Sequence, residues 1–198
     1  PRPEERVTGY GRAENAIRTW ARLHGFKYPQ ALQVPADFFA GRKLLDVGCG
    51  PIPYALAFTD CEIWGLDQLI DEYRALGFPL DTYDPRLHYV CGAAEAMPFA
   101  DGEFDAIISV NAIDHVDDLQ ATAREIIRVL RPDGLLRLQV HYHKPTTTEP
   151  WALSDADMAA AFAGLDVRRL SESLVPGKPE ERFVIWGRGG ARPGPREG

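Results

Sequence analysis

The sequence predicts an α/β fold: a doubly wound, mostly parallel seven-stranded sheet with an antiparallel last strand, helices on both faces and an N-terminal helical extension. Short apolar runs alternate with segments of helical spacing after residue 42. These runs contain few polar residues, as expected for parallel strands that are covered on both faces. The last two runs are joined by a short turn with proline and glycine, which favours antiparallel pairing.

Seven apolar runs predict the strands, and helical signals lie between them. The strands are expected at residues 43–47, 62–66, 87–91, 104–110, 135–140, 167–174 and 182–186, with the last turn at 175–181. Helices are expected near Tyr54, over residues 69–76, from an Asp117 or Asp118 cap to Leu130, and from a Ser154 cap to Phe162. Pro132-Asp133-Gly134 is expected to separate the third helix from the fifth strand.

The chain has the length of one domain, which we place at residues 1–188. Residues 1–41 are expected to form N-terminal helices, in which Tyr10, Gly11 and Arg12 contribute to a lid and Trp20 packs. Residues 42–188 form the core. Residues 189–198 are rich in glycine, proline and arginine and predict a disordered tail.

Charge and composition limit the classes of partner. Lys and Arg number 22 against 29 Asp and Glu, a net charge of −7, and no basic stripe is visible. This balance argues against nucleic acid and anionic membranes. No apolar run approaches ~18 residues and no leader is visible, so we expect neither a membrane span nor secretion. The three cysteines lack CxxC spacing and their odd number cannot form a closed set of bridges, so they predict buried, reduced thiols in a cytoplasmic protein. We expect a monomer or homodimer.

The segment Asp46-Val47-Gly48-Cys49-Gly50 spans the end of the first buried strand and the turn after it. Two glycines allow a tight turn and leave bare backbone where open α/β sheets bind ligands. Asp67 ends the second strand, 21 residues after Asp46, and is placed to accept hydrogen bonds from ribose hydroxyls. A nicotinamide dinucleotide is one ligand that a glycine turn followed by such an acid could bind. It is disfavoured because the third glycine of its fingerprint is missing and two prolines, Pro51 and Pro53, remove amide donors.

At this point the chain resembles the Rossmann-like S-adenosylmethionine-dependent methyltransferases, over residues 43–187. The glycine segment and Asp67 resemble the family's cofactor loop and ribose-binding acid. Three further segments match in order: residues 93–105, the loop Val110-Asn111-Ala112-Ile113-Asp114-His115-Val116, and residues 128–136. Two departures stand out: the loop lacks its usual third glycine, and Ala93 stands where the family often has an acid.

The resemblance implies S-adenosyl-L-methionine as cofactor and a fixed set of binding positions. These are Asp46, Gly48, Gly50, Asp67, Gln68, Ala94, Glu95 and Asn111. The implied reaction is an in-line displacement of the methyl group onto a small-molecule or sugar-containing acceptor. The alternative is a cofactor-binding but catalytically silent module that regulates a partner.

His141 and His143 are the candidates for a catalytic base. They stand two residues apart at the end of the fifth strand and therefore share one face of it, at the edge where an acceptor should enter. A metal would need a third ligand that no spacing specifies, so we predict no metal site. His115 is expected to pack or cap. The loop 144–151 is expected either to form one wall of the acceptor pocket or to serve only as a connector.

Overall fold

The computed structural model of the chain describes residues 19, 23, 25–146 and 151–189. Some predictions therefore lie outside the described residues: the lid residues Tyr10, Gly11 and Arg12, the packing of Trp20, residues 147–150 of the connecting loop, and the tail beyond residue 189. Within the described ranges, the strands and helices follow one another in the predicted order.

Among the residues that the structure describes, seven strands form a single sheet. Their bounds are β1 Lys43–Val47, β2 Glu62–Asp67, β3 Leu87–Cys91, β4 Phe104–Val110, β5 Leu130–Tyr142, β6 Arg168–Val175 and β7 Lys178–Arg188. The spatial order is β3-β2-β1-β4-β5-β7-β6. β7 is antiparallel to both of its neighbours, and the remaining pairs are parallel. The predicted doubly wound sheet with an antiparallel last strand is confirmed, although that strand lies one place inside the sheet edge.

In the described ranges, four helices and three short 3-10 helices precede or connect these strands. The helices are α1 Lys27–Leu32, α2 Ile70–Ala75, α3 Leu119–Val129 and α4 Asp155–Ala161, and the 3-10 helices are Tyr54–Ala57, Leu80–Thr82 and Ile113–His115. The predicted caps are present: Asp118 accepts a hydrogen bond from the Ala121 amide, and Ser154 forms a reciprocal capping box with Asp157. At 11 residues, α3 is the longest helix in the described ranges, and none there could span a membrane.

Alternate residues of the central strands point to opposite faces and build two separate cores. Leu45 and Ile107 pack on one side with the buried face of α3 and with α4. Their sequence neighbours Leu44 and Ile108 pack on the other side with α1 and the Tyr54–Ala57 turn. The sheet is therefore covered on both faces, which explains why its central strands are apolar throughout.

Two boundaries differ from the predicted ones. β5 begins immediately after α3, because Pro132-Asp133-Gly134 lies in an irregular bulge where the register with β4 shifts between Phe104 and Ala106. The turn between β6 and β7 is much shorter than predicted: β6 ends at Val175 and β7 begins at Lys178.

The prediction that all three thiols are buried is wrong for one cysteine. Cys49 and Cys61 are buried, but Cys91 is exposed, because it ends the edge strand β3.

The order of the strands locates the place where a ligand fits. β1 and β4 are neighbours, and from them the chain winds outward in the two opposite directions. Loops leaving the carboxyl ends of these two strands therefore diverge and leave a crevice between them. The glycine segment follows β1, and the loop beginning at Asn111 follows β4.

Candidate active site

A first cavity of about 480 Å³ lies at the carboxyl ends of β1 to β4. Seven of the predicted cofactor positions line it: Gly48, Gly50, Asp67, Gln68, Ala94, Glu95 and Asn111. The rest of the wall is formed by Leu66, Leu69, Tyr73, Gly92, Ala112, His115, Val116 and Asp117. Positions that are distant in sequence thus meet at one place. His115, which we expected to pack or cap, lines this cavity.

The glycine segment turns sharply through two left-handed residues, Gly48 at φ 74° and Gly50 at φ 61°. We expected both glycines to leave space for a ligand, and the structure separates their roles. A Cβ on Gly48 would stand 2.3 Å from the Ala112 Cβ, so this position is filled by the loop after β4. A Cβ on Gly50 would meet nothing within 4 Å. Gly48 is therefore needed for packing, and Gly50 presents bare backbone to the cavity.

Asp67 holds the glycine segment in place. Its Oδ2 accepts a hydrogen bond from the Gly50 amide at 3.0 Å, and its Oδ1 accepts one from the Leu69 amide at 2.9 Å. A carboxylate offers about four lone-pair directions. Two of them remain for hydroxyl groups of a ligand.

Glu95 supports the opposite wall of the first cavity. Its Oε1 accepts hydrogen bonds from the amides of Asp117 and Asp118, at 2.8 and 3.3 Å. These amides precede α3, whose first N–H groups have no partner within the helix. Glu95 thus joins the segment after β3 to the loop after β4, in addition to facing the cavity.

Asp46 lies beneath the glycine segment and lines neither this cavity nor the second one described below. Its side chain is buried and accepts a hydrogen bond from the Tyr28 hydroxyl. Burial raises the pKa of Asp46 to about 8; the Tyr28 hydrogen bond opposes this rise, and the nearby charge of Asp67 adds to it. A direct contact between Asp46 and a cofactor stays a prediction.

A second cavity, of about 780 Å³, adjoins the first. The two share Gly50 and Asn111, so these residues stand at their junction. Asn111 takes a left-handed backbone, φ 54°, and its amide donates to the Gln139 carbonyl at 3.0 Å. The other residues lining the second cavity are Lys27, Tyr28, Gln30, Ala31, Gln33, Cys49, Pro51, Ile52, Tyr54, Val110, Gln139, Ser173, Phe183 and Ile185.

His141 and His143 line neither cavity. Both are buried, and their ring centroids are 4.6 Å apart. His141 Nε2 lies 2.8 Å from Glu181 Oε2, and His143 Nδ1 lies 2.7 Å from the Lys144 carbonyl. A catalytic role for either histidine stays a prediction.

The described residues of the connecting loop, 144–146 and Trp151, also line neither cavity. Trp151 instead donates its indole N–H to the Val116 carbonyl.

Sequence reasoning missed Asp114, which is fully buried beside the two histidines. Its Oδ2 lies 3.7 Å from His143 Nε2 and 3.8 Å from His115 Nε2. Burial raises the pKa of Asp114, and the neighbouring histidines oppose this rise. Asp114 stands in the quoted loop after β4, but no sequence spacing relates it to residues 141 and 143, because only the parallel pairing of β4 and β5 brings them together.

Comparisons with known proteins agree with this geometry. Residues 45–138 match the family model described as a methyltransferase domain. The 24-methylenesterol C-methyltransferase 2 of Oryza sativa subsp. japonica is 35% identical over 138 residues, covering 66% of this chain and 36% of that protein. The malonyl-[acyl-carrier protein] O-methyltransferase of Enterobacter lignolyticus is 36% identical over 109 residues, covering 52% and 40%. The chain spans between about a quarter and two fifths of the length of the curated relatives it matches.

Solved structures support the same fold. The YcgJ protein of Bacillus subtilis superposes with a TM-score of 0.62 at 19% identity, covering 83% of this chain and 95% of that one. At this level of identity the likeness concerns the fold alone. Together with the matched domain, it leads to one conclusion: residues 45–138 form a methyltransferase domain, within a chain that has the fold of the Rossmann-like S-adenosylmethionine-dependent methyltransferases.

Proposed function

We propose that the chain transfers the methyl group of S-adenosylmethionine, held in the first cavity, to a small-molecule acceptor held in the second. The observation that carries the proposal is the junction of the two cavities at Gly50 and Asn111. A cofactor in the first cavity and an acceptor in the second would meet at this junction.

Such an arrangement suits methyl transfer because the leaving sulfonium is already activated by its charge. The protein has mainly to align acceptor, methyl carbon and sulfur, and orientation can supply about 7–11 kcal/mol of the barrier. The Asn111 amide donates a hydrogen bond to the Gln139 carbonyl, and the Gly50 amide donates one to the Asp67 carboxylate. The junction is thus held rigidly, as an in-line displacement requires.

The lining of the second cavity indicates the class of acceptor. Aromatic and aliphatic side chains dominate one part of it, among them Tyr28, Ile52, Tyr54, Phe183 and Ile185. Glutamine side chains and Lys27 supply polar groups. This mixture fits an acceptor with an apolar body and a few polar groups, and a sugar-containing product remains within the proposal. Two of the curated relatives are named for 24-methylenesterol and for malonyl-[acyl-carrier protein].

Either histidine would have to act at a distance from the junction, since neither lines a cavity. We therefore propose transfer that relies on alignment and on a nucleophilic acceptor, with His141 or His143 as base only for an alcohol acceptor. We further propose a cytoplasmic protein without a nucleic-acid or membrane partner, which the net charge of −7 and the three free thiols support, and a monomeric or homodimeric state.

Replacing Asp67 with alanine is expected to weaken cofactor binding by about 1–3 kcal/mol, since the ribose loses a charged acceptor. The Gly50 amide also loses its partner. Isothermal titration with S-adenosylmethionine measures the change. Asp84→Ala is the matched control, because Asp84 likewise accepts from the amide two residues later, at Arg86, but lies outside both cavities. Equal affinity of the Asp67 variant and the wild type would refute the ribose assignment.

Blocking the second cavity tests the transfer itself. Protein is incubated with methyl-labelled cofactor and a small-molecule cell extract, and label is sought in low-mass products. Ser173→Trp should abolish labelling with cofactor affinity unchanged, because Ser173 lines the second cavity alone. Glu172→Trp, at the adjacent exposed position outside the cavity, should retain labelling. Cofactor binding without any label transfer by the wild type would instead support the catalytically silent module.

A further inference from the structure

Asp114, His141 and His143 form a buried cluster in the described part of the chain. One ligand atom from each lies within 4.8 Å of those from the other two. Asp114 belongs to the 3-10 helix after β4, whereas His141 lies near the end of β5 and His143 directly follows that strand. The cluster therefore joins two segments at the ligand-binding edge of the sheet.

Hydrogen bonds outside the cluster fix the tautomers of both imidazoles. The Lys144 carbonyl can only accept, so His143 Nδ1 carries a proton, and in the neutral ring the lone pair is on Nε2. That Nε2 faces Asp114 Oδ2 at 3.7 Å. The Glu181 carboxylate likewise requires a proton on His141 Nε2, which leaves the lone pair on Nδ1. Imidazoles that bind metals are oriented in this way, by a carbonyl or carboxylate on the second nitrogen.

Asp114 adds the third and negatively charged ligand. Its side chain is fully buried, and no other described residue donates a hydrogen bond to either of its carboxylate oxygens. A buried carboxylate without such partners is costly unless a cation lies close to it. A tetrahedral zinc ion with ligands at about 2.0–2.1 Å separates its ligand atoms by about 3.3–3.4 Å. The 3.7 Å between Asp114 and His143 is within a few tenths of that separation.

We propose that Asp114, His141 and His143 bind a divalent transition-metal ion of the zinc class, with Glu181 orienting His141 from outside. Two imidazoles and one carboxylate are a ligand set that zinc accepts, with the fourth position open. The proposal does not depend on the methyl transfer proposed above, but with the ion bound neither histidine has a lone pair left to act as a base.

The bound ion would have a structural consequence for the first cavity. Asp114 is flanked by Ala112, His115 and Val116, all of which line that cavity. A metal would tie this loop to the end of β5 and restrict its movement. Metal binding is therefore expected to stabilise the fold, since an ion that binds only the folded chain raises the melting temperature.

The test uses the full chain without a polyhistidine tag, freed of metal by a chelator and then titrated calorimetrically with zinc chloride. Wild type should bind one zinc ion per chain. Asp114→Asn and His143→Gln should each bind at least ~100-fold more weakly, and Glu181→Gln about 10- to 100-fold more weakly. His88→Gln is the control, because His88 pairs with Glu62 on the exposed edge of the sheet and lies outside the cluster.

The outcomes separate clearly. Stoichiometric binding that is lost in the cluster variants and kept in the His88 variant supports the site. Absence of binding by wild type, or equal binding by wild type and the cluster variants, overturns it. Circular dichroism checks that each variant folds. Glu181 is partly exposed, so its variant provides the comparison if Asp114→Asn fails to fold.

Discussion

A side chain at position 48 is expected to destabilise the domain by roughly 2–5 kcal/mol and to abolish cofactor binding. In Gly48→Ala the new Cβ would stand 2.3 Å from the Ala112 Cβ, and the residue would keep a left-handed φ of 74°. Overpacking costs about 1–3 kcal/mol and the left-handed backbone about 1–2 kcal/mol. Gly48→Val should be worse still, because a β-branched residue tolerates positive φ poorly. Urea unfolding and cofactor titration measure the two effects.

A second substitution distinguishes the two causes. Ala112→Gly removes the atom that the new Cβ would meet. The double variant Gly48→Ala with Ala112→Gly should recover the packing part of the loss, about 1–3 kcal/mol, and retain the backbone part. If the double variant is no more stable than Gly48→Ala, the assignment of Gly48 to packing against Ala112 is wrong.

The stability of the wild type is expected to fall, relative to Asp46→Asn, as the pH rises. The unfolded Asp46 loses its proton near pH 4, whereas burial holds the pKa of the folded group at about 8. The folded state therefore binds the extra proton between these two values, and the cost of ionising the buried group grows through that window. Between pH 5 and pH 8 the advantage of the asparagine variant should grow by about 4 kcal/mol at most.

Urea unfolding of both proteins at the two pH values measures this growth. Asp37→Asn, at an exposed position, controls for the loss of one negative charge. A stability difference between Asp46→Asn and wild type that stays constant from pH 5 to pH 8 would contradict a protonated, buried Asp46. Below pH 4 the difference attributable to this carboxyl should vanish, because both states are then protonated.

The sequence predicted the buried strands well because their signal is local. β1, β3 and β4 have the predicted bounds, since each is an apolar run that ends at turn residues. The bounds of β5 and β7 were harder to predict. Residues 178–181 are polar and read as a turn, yet they belong to β7, which pairs with β6 at Lys178 and, beyond a register shift, from Arg182 onward. The bulge at Pro132 to Gly134 likewise depends on the register with β4.

In the candidate site, too, the residues with a local sequence signal could be predicted, and those that depend on distant contacts could not. Gly50 and Asp67 could be placed from sequence because Gly50 follows the end of β1, Asp67 ends β2, and such ends converge in a parallel sheet. Asp46 could not be placed, because its burial depends on Tyr28 in α1. The packing role of Gly48 could not be predicted either, since Ala112 is distant in sequence. The cluster around Asp114 follows only from the pairing of β4 with β5.

Titration of S-adenosylmethionine into wild type, Gly50→Ala and Gly102→Ala tests most directly whether the first cavity holds the cofactor. Gly50 and Gly102 share nearly the same left-handed backbone, φ 61° and 62°, and a Cβ at either position meets nothing within 4 Å. Only Gly50 lines the first cavity. We expect equal affinity for wild type and Gly102→Ala, and binding at least ~10-fold weaker for Gly50→Ala, since its methyl group occupies ligand space. No binding by wild type up to millimolar cofactor, or unchanged affinity in Gly50→Ala, would contradict the account.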